Sequence, residues 1–329
     1  MLNEFRQDLV SGEWVLFSAA RARRPGESQE VRRLLQPREN CPFEDPEKSG
    51  NEVVETYLNE TKTDWIAKTI KNKFPAVTEG ENGNIRRIGP FETLNGTGLH
   101  QVLVFRDHER DFYDFSGEEV AEIFRIYKKC YLATLDSGSR KYTLIFHNHG
   151  LQAGATVQHP HSQVISIPIL PPDVKKSIDG SESFYRKHGK KVYDVMLKWE
   201  LGEKKRIVYE NENFLVFCPF VSKTEYEVRI FSKEGHAHFE LMPEKLFADL
   251  GDAFSVTFRK IGKALDRPDY NFFIHTSPIN FPSLEPHEFY SWHIEILPKV
   301  ATVGAFELAS GMEINVVDPD EAAKLFREA

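Results

Sequence analysis

The sequence repeats one order of elements, and this repetition limits the possible folds more than any other feature. Residues 65–170 predict two strands, a long helix, a strand that ends in histidine and a strand that opens with histidine. Residues 207–300 predict the same order, which is typical of a duplicated unit. Strands that return as hairpins beside one helix favour an α+β fold, with antiparallel sheets and helices packed on them.

The helices and loops of this order are predicted from local signals. Ser116 is expected to cap the first long helix, because two glutamates follow in its first turn and apolar residues recur at helical spacing over 120–132. The second long helix is expected to begin beside Pro243. We predict that 26–63 is mostly loop and that 171–205 is a charged connector with some helix.

Length and composition exclude several classes of protein. The 329 residues are 40% apolar and 28% charged, which is enough for two globular domains and is not typical of disorder. The net charge of -8 argues against a general nucleic-acid or anionic-membrane binder. No apolar run reaches the roughly 18 residues of a membrane span, and the N-terminus lacks a signal-peptide pattern. Three widely spaced cysteines exclude a disulfide framework, so we expect a reducing cytoplasm.

The segment GATVQHPHSQ carries the strongest chemical signal. We expect a strand on which alternation places His159, His161 and Gln163 on one face. A neutral imidazole is a good nucleophile near pH 7, and a phosphoramidate on its nitrogen is a labile carrier of a nucleotidyl group. Alternatively, one histidine binds a metal while the other reacts, or both stand on a surface strand by chance. Gln163, with Asn148 and Thr156 nearby, offers hydrogen-bond donors to phosphoryl oxygens.

Other devices for binding phosphate are sparse in the sequence. It contains no GxxxxGK loop and no GxGxxG in a strand-to-helix turn. A basic cluster of Arg21, Arg23 and Arg24 could make charge-assisted contacts with a diphosphate. The alternative interpretation of this cluster is a solvated basic face.

Two groups of residues have the side chains of metal ligands. The CPFE turn brings Cys41 and Glu44 close in sequence, and with His108 and His159 it would supply one sulfur, one oxygen and two nitrogens. This donor set is compatible with a tetrahedral zinc ion, although Cys-x-x-Glu spacing alone is a weak signal.

The second group repeats the strand-end arrangement in the later half of the chain. It consists of His275, His293 and Glu295. These residues either bind a second metal ion or pair with one another, and we favour structural hydrogen bonding.

The HPHSQ segment, preceded by NHG at 148–150 and GAT at 154–156, resembles the active-site strand of the galactose-1-phosphate uridylyltransferase family, a branch of the histidine triad superfamily. The similarity runs nearly from end to end. Seven further segments follow in family order: SGEWVLFSAARARRP, ENCPFE, NKFPA, VLVFRDH, YNFFIH, WHIEILP and ATVGAFELASG. NKFPA and FELASG are more similar to a divergent branch that includes ADP-glucose phosphorylase.

The resemblance implies a duplicated histidine-triad-like fold, with one half at 1–170 and the other at 171–329, in a homodimer. From the composition and the cysteines we expect a cytoplasmic protein that binds neither nucleic acid nor membrane. The resemblance further implies ping-pong transfer, in which His161 attacks the α-phosphorus of UDP-glucose and glucose 1-phosphate leaves. The uridylyl-His161 intermediate then passes UMP to galactose 1-phosphate. In the divergent branch, the same histidine is adenylylated and phosphate is the second acceptor, and this alternative stays open. So does a non-catalytic nucleotide-binding protein.

The resemblance also implies roles for individual residues. His161 would be the nucleophile, and Gln163 would hold the phosphoryl group. Six residues would contact the substrates: Arg21 and Arg24 at the diphosphate, Asn72 at the base or ribose, Asn148 and Thr156 at the phosphate, and Phe306 at the hexose. Four would hold a structural Zn²⁺: Cys41, Glu44, His108 and His159.

Three positions depart from the family pattern. Glu44 replaces the second zinc cysteine, and Lys73 replaces an aspartate that contacts ribose. Glu295 replaces a histidine of a second metal site that keeps His275 and His293. These departures bear on zinc affinity, nucleotide preference and the second metal.

Overall fold

The structure is a computed structural model that describes residues 3–18, 37–81, 83–134, 142–278 and 289–329. Its strands are β1 Glu4–Gln7, β2 Trp14–Phe17, β3 Val53–Leu58, β4 Trp65–Lys71, β5 Arg86–Ile88, β6 Phe91–Thr93, β7 Leu99–Phe105, β8 Tyr142–His149, β9 His161–Ile167, β10 Ile207–Glu210, β11 Phe214–Phe217, β12 Val228–Ser232, β13 Tyr270–His275, β14 His293–Pro298 and β15 Ile314–Asn315. Its α-helices are α1 Gly117–Ala133, α2 Pro172–His188, α3 Val192–Glu203, α4 Phe247–Leu265, α5 Ala305–Ser310 and α6 Pro319–Glu328.

Ten strands form one antiparallel sheet in the order β10-β11-β12-β14-β13-β8-β9-β7-β4-β3. The sheet consists of two equivalent halves. The succession β3, β4, β7, α1, β8, β9 corresponds to β10, β11, β12, α4, β13, β14, with the same order of strands in space. The halves join where β8 pairs with β13, from His149 opposite Tyr270 to Ile145 opposite Ile274. The predicted duplicated α+β fold is therefore confirmed.

The helices α1 and α4 pack side by side on one face of this sheet and enclose the main apolar core. Phe124 and Phe254 stack edge to face at 5.1 Å within it. The helices approach closely because a Cβ on Gly251 would lie 2.1 Å from the carbonyl oxygen of Gly117. As predicted, Ser116 caps α1: its hydroxyl accepts from the Glu119 N–H, and the Glu119 carboxylate accepts from the Ser116 N–H.

Two predicted irregular regions contain regular structure. β3 falls within the predicted loop, and its alternation was invisible because only Tyr57 of this edge strand is buried. The predicted connector consists largely of α2 and α3. They cover the other face of the later half-sheet, where Ile178 and Leu197 belong to the same apolar cluster as Phe231.

The two ends of the described chain meet beside the later half. β15 pairs in parallel with β2, and the Arg6 guanidinium contacts the Asp318 carboxylate at 3.0 Å. The predicted division near residue 170 stays a prediction, and this contact shows that strands from the beginning of the chain pack with its end. Among the helices of the described ranges, none combines the length and apolar character needed to cross a membrane.

Candidate active site

His161 stands at the first position of β9 with its ring tautomer determined by the backbone. Its Nδ1 lies 2.8 Å from the carbonyl oxygen of His159. A carbonyl oxygen only accepts hydrogen bonds, so Nδ1 carries the hydrogen and Nε2 of the neutral ring keeps its lone pair. Burial lowers the pKa of His161, which favours that neutral form. The ring therefore has the electronic form that a nitrogen nucleophile requires.

Gln163 projects from the same face of β9, two residues further along. Val104 and Val102 of β7 lie opposite His161 and Gln163. The Gln163 Oε1 is 2.8 Å from Nε2 of His100, which also belongs to β7. Sequence reasoning missed His100. The signal that could have found it is a histidine in alternation with Val102 and Val104 on the same face of β7.

Asn148 reaches the same face from β8. His147 pairs with Ser162, so the register places Asn148 opposite His161. The Asn148 Oδ1 accepts a hydrogen bond of 2.8 Å from Nδ2 of Asn271 on β13. Asn271 is a second residue that sequence reasoning did not single out.

The loop after β8 carries Thr156, which is exposed in a turn beyond a 3-10 helix at Leu151–Ala153. The loop turns sharply at Gly150, where φ is +83°, and a Cβ there would lie 1.9 Å from Oδ1 of Asp269. The other oxygen of that carboxylate accepts from the N–H of Gln152 at 2.9 Å. A residue of the later half therefore anchors the loop beside His161.

The remaining predicted substrate residues differ in their placement. Asn72 follows β4, and its Nδ2 lies 3.0 Å from Nε2 of His100, so it joins the group around Gln163. Phe306 is on α5 with 47% of its surface exposed, and no described hydrogen bond or ring contact joins its side chain to the group. Arg21 and Arg24 lie outside the described residues.

Three of the four predicted metal ligands, Cys41, His108 and His159, bring their ligand atoms within 4.8 Å of one another immediately before β9, and Glu44 lies beside the two histidines. Nδ1 of His108 lies 3.0 Å from Nδ1 of His159 and 3.2 Å from Oε2 of Glu44. Sγ of Cys41 lies 3.5 Å from the same His159 nitrogen. One expectation was wrong: β9 begins at His161, so His159 precedes the strand and does not share its alternation. Its ring instead faces the cysteine turn.

The chemistry of this cluster fits a divalent metal ion. The His159 Nε2 donates to the carbonyl oxygen of Phe105 at 2.7 Å, which turns the Nδ1 lone pair toward the other ligands. Burial lowers the pKa of His159 to about 4 and raises the pKa of the Cys41 thiol. The Glu44 Oε2 is buried, and apart from its 3.2 Å approach to the His108 Nδ1 it has no hydrogen-bond partner among the described residues. A cation would satisfy these converging lone pairs, which are costly to bury unpaired.

The second cluster lies where β13 ends and β14 begins, at the positions of the later half that correspond to the ends of β8 and β9 around His161 and Gln163. The rings of His275 and His293 stack at 4.7 Å, and the His275 Nε2 is 3.5 Å from the Glu295 carboxylate. The Arg229 guanidinium lies 3.5 Å from Glu295 and 2.7 Å from Glu227. The ligand atoms are close enough to hold a metal ion, while the Arg229 charge already offsets the Glu295 carboxylate.

The chain is similar to proteins that act on nucleotide sugars or sugar phosphates by name, and to one family model. A family model described as galactose-1-phosphate uridyl transferase, N-terminal domain, matches residues 1–171. An ADP-glucose phosphorylase of Arabidopsis thaliana is 29% identical over 99% of this chain and 92% of its own length. A galactose-1-phosphate uridylyltransferase of Thermotoga maritima is 27% identical over 99% of this chain and 98% of its own.

Two solved structures share the fold. A crystal structure of an ADP-glucose phosphorylase from Arabidopsis thaliana with bound ADP-glucose superposes with a TM-score of 0.84 at 28% identity, over 100% of this chain and 99% of that one. A uridylyltransferase structure superposes with a TM-score of 0.74 at 24% identity, over 99% and 98% of the two chains.

Proposed function

The chain belongs to the galactose-1-phosphate uridyl transferase family, and we propose that it transfers a nucleotidyl group from a nucleotide sugar through a covalent adduct on His161. One observation carries the proposal. The His161 Nδ1 is committed to the His159 carbonyl at 2.8 Å, so Nε2 offers its lone pair beside the amides of Gln163 and Asn148. An uncharged nucleophile next to uncharged hydrogen-bond donors suits an attack on an anionic diphosphate.

The first half-reaction forms the adduct. The His161 Nε2 bonds to the α-phosphorus, and the bond from that phosphorus to the bridging oxygen breaks. The sugar 1-phosphate leaves with the electron pair. Amide hydrogens of Gln163 and Asn148 meet the phosphoryl oxygens, and this positioning supplies most of the catalysis in phosphoryl chemistry.

We assign ADP-glucose as the first donor to test and inorganic phosphate as its acceptor. The Arabidopsis phosphorylase supports this assignment in both sequence and structure, at 29% identity and a TM-score of 0.84. In the second half-reaction a phosphate oxygen attacks the adenylyl phosphorus. The phosphorus–nitrogen bond breaks, ADP leaves, and Nε2 recovers its lone pair.

Uridylyl transfer from UDP-glucose to galactose 1-phosphate, which the sequence analysis placed first, is the second candidate. The Thermotoga uridylyltransferase supports it, because the similarity covers 99% of this chain and 98% of that protein. Lys73 departs from the uridylyltransferase pattern, since it replaces the ribose-contacting aspartate that the resemblance implies, and it therefore bears on nucleotide preference. In this structure the Lys73 ammonium donates to the Ser49 carbonyl at 2.7 Å.

Zinc is the metal that we propose for Cys41, Glu44, His108 and His159. When bound, the ion would cross-link the cysteine turn to the segments around β7 and β9. The ring of Phe43, in the same turn, packs against His161 at 5.0 Å. The turn therefore helps to position the nucleophile, and the ion has a structural role. The homodimer and the cytoplasmic location stay predictions of the sequence.

Intact-protein mass spectrometry tests the proposal. The protein is incubated with ADP-glucose or with UDP-glucose, and His161→Ala is the control. An AMP-sized adduct that phosphate discharges supports the phosphorylase, and a UMP-sized adduct that galactose 1-phosphate discharges supports the uridylyltransferase. Absence of an adduct from both donors, with nucleotide binding intact, would overturn covalent transfer and leave a non-catalytic binding protein.

A further inference from the structure

We propose that His100 and Asn271 are positioning residues that lock the amides of Gln163 and Asn148 in one orientation. Each lock holds the amide oxygen, so that both NH₂ groups remain available to the phosphoryl group on His161. The inference rests on the proposed nucleotidyl transfer. It adds two residues to the site, one of them from the later half of the chain.

The first lock begins at a backbone N–H. The Ala76 N–H donates to Nδ1 of His100 at 3.0 Å, so Nδ1 carries the lone pair. The neutral ring then has its hydrogen on Nε2. Two side chains approach Nε2: Oε1 of Gln163 at 2.8 Å and Nδ2 of Asn72 at 3.0 Å. Of these two atoms only the Gln163 oxygen can accept, so His100 donates to Gln163.

Asn72 does not compete for this hydrogen. Its Oδ1 accepts from the Phe74 N–H at 2.9 Å, so its donor-only Nδ2 faces the Nε2–H of His100 and makes no hydrogen bond with it in this tautomer. The chain of donors therefore runs from the Ala76 backbone through His100 to the Gln163 oxygen. The Gln163 nitrogen, on the other branch of the amide, has both hydrogens to give.

The second lock begins at a backbone carbonyl. The Asn271 Nδ2 lies 2.9 Å from the carbonyl oxygen of Ala153, which can only accept, so the NH₂ end of Asn271 faces this way. The same nitrogen lies 2.8 Å from Oδ1 of Asn148. Asn271 therefore donates one hydrogen to each oxygen. Asn148 is held by its oxygen, like Gln163.

The orientation matters because a primary amide has one end that donates and one that accepts. A 180° flip would turn a carbonyl oxygen toward the phosphoryl oxygens and replace an attraction with a repulsion. An unlocked amide samples both orientations, and donors that are preorganised contribute more than donors that must reorient. His100 and Asn271 remove that freedom before the substrate arrives.

The test for His100 measures the rate of adduct formation with the active nucleotide sugar, by quenched-flow mass spectrometry. We expect His100→Ala to slow this step about 10- to 100-fold with a smaller change in the KM for the donor. His100→Gln places an N–H near the position of Nε2 and should restore most of the rate. In a Gln163→Ala background, His100→Ala should have almost no further effect. His236→Ala, at a partly exposed histidine of the later half that pairs with Glu234, is the control.

The test for Asn271 uses a change of polarity with little change of shape. Asn271→Asp presents acceptors to Asn148, whose amide should flip and turn its oxygen toward the substrate. We expect adduct formation to slow about 10- to 100-fold, and we expect no further loss when Asn271→Asp is combined with Asn148→Ala. Thermal denaturation of each variant confirms that it folds, and Asn271→Ala serves as a second variant.

The outcomes separate this inference from the proposed function. If the unmodified protein forms no adduct, the function fails. If it forms the adduct and His100→Ala or Asn271→Asp reacts at the same rate, the corresponding lock is wrong. If His100→Ala slows adduct formation equally with and without Gln163, His100 acts independently of the Gln163 amide and its lock is overturned. The same holds for Asn271→Asp with and without Asn148.

Discussion

The histidines that begin β9 and β14 make the same hydrogen bond to the backbone, but different side chains surround them. His161 donates from Nδ1 to the carbonyl two residues earlier at 2.8 Å, and His293 does the same at 3.1 Å. Two residues further along stand Gln163 and Glu295. Opposite these two, on β7 and β12, are Val102 and Arg229.

The difference shows how a duplicated unit is specialised by charge. Around His161 the neighbouring groups are neutral amides, which can approach an anionic diphosphate without repulsion. Around His293 a carboxylate repels phosphate and attracts cations, and Arg229 with Glu227 completes a buried ion pair. The two histidines are oriented by the same hydrogen bond. The surroundings of His161 suit group transfer, and those of His293 suit charge pairing or metal binding.

Replacing His161 and His293 one at a time is the strongest test of whether only the first half carries out group transfer. His161→Ala should reduce adduct formation at least about 10³-fold, because no other nitrogen occupies its place. His293→Ala should keep the adduct, since its neighbours disfavour phosphate. Intact-protein mass spectrometry after incubation with the donor measures both. A lost adduct in His293→Ala, with the fold intact, would contradict the proposed division of labour.

The metal content of variants tests whether the Cys41 cluster and the His275 cluster differ in zinc binding. Cys41→Ser should lower bound zinc and reduce the free energy of unfolding by about 2 kcal/mol or more, because metal binding contributes to folding. His275→Ala in the second cluster should leave the metal content unchanged, since we favour pairing there. Elemental analysis of protein purified without chelator, with thermal denaturation, provides the measurements. Two zinc ions per chain, one of them lost in His275→Ala, would assign the second cluster to metal.

Exchanging the residues two positions after each histidine tests the charge argument directly. Gln163→Glu should slow adduct formation about 10- to 100-fold, because a carboxylate repels the diphosphate. Glu295→Gln should change that rate little and instead lower stability by about 1–3 kcal/mol, since Arg229 loses one of its charge partners. Transient kinetics and denaturant titration separate the two effects. Equal rates for both variants would remove charge as the distinguishing feature.

The smallest expected effect concerns the loop after β8. Gly150→Ala should cost stability and slow adduct formation, because its Cβ would lie 1.9 Å from the Asp269 carboxylate that anchors the loop. Gly154→Ala is the matched control: φ is +87° there too, yet a Cβ meets nothing within 4 Å. We expect only backbone strain of about 1 kcal/mol for it. Denaturation and adduct kinetics on both variants would show whether the Asp269 contact matters beyond the turn.

The sequence alone determined the features that depend on near neighbours along the chain. The repeated order of elements, the capping box at Ser116 and the HPHSQ segment are all patterns of a few residues. The metal cluster was also anticipated, with the help of the family resemblance, although His159 was misplaced on the strand. Periods of 2 and 3.6 residues and short motifs are local properties, so they can be read without the fold.

Only the tertiary structure revealed the partners that hold the site together. His100 lies 63 residues before Gln163, and Asn271 lies 123 residues after Asn148. Their contacts arise because β7 pairs with β9 and β13 pairs with β8, in registers that the sheet order establishes. A hydrogen bond depends on distances of a few tenths of an ångström between groups. Such distances are set when distant strands pair and the core packs, and no local pattern records them.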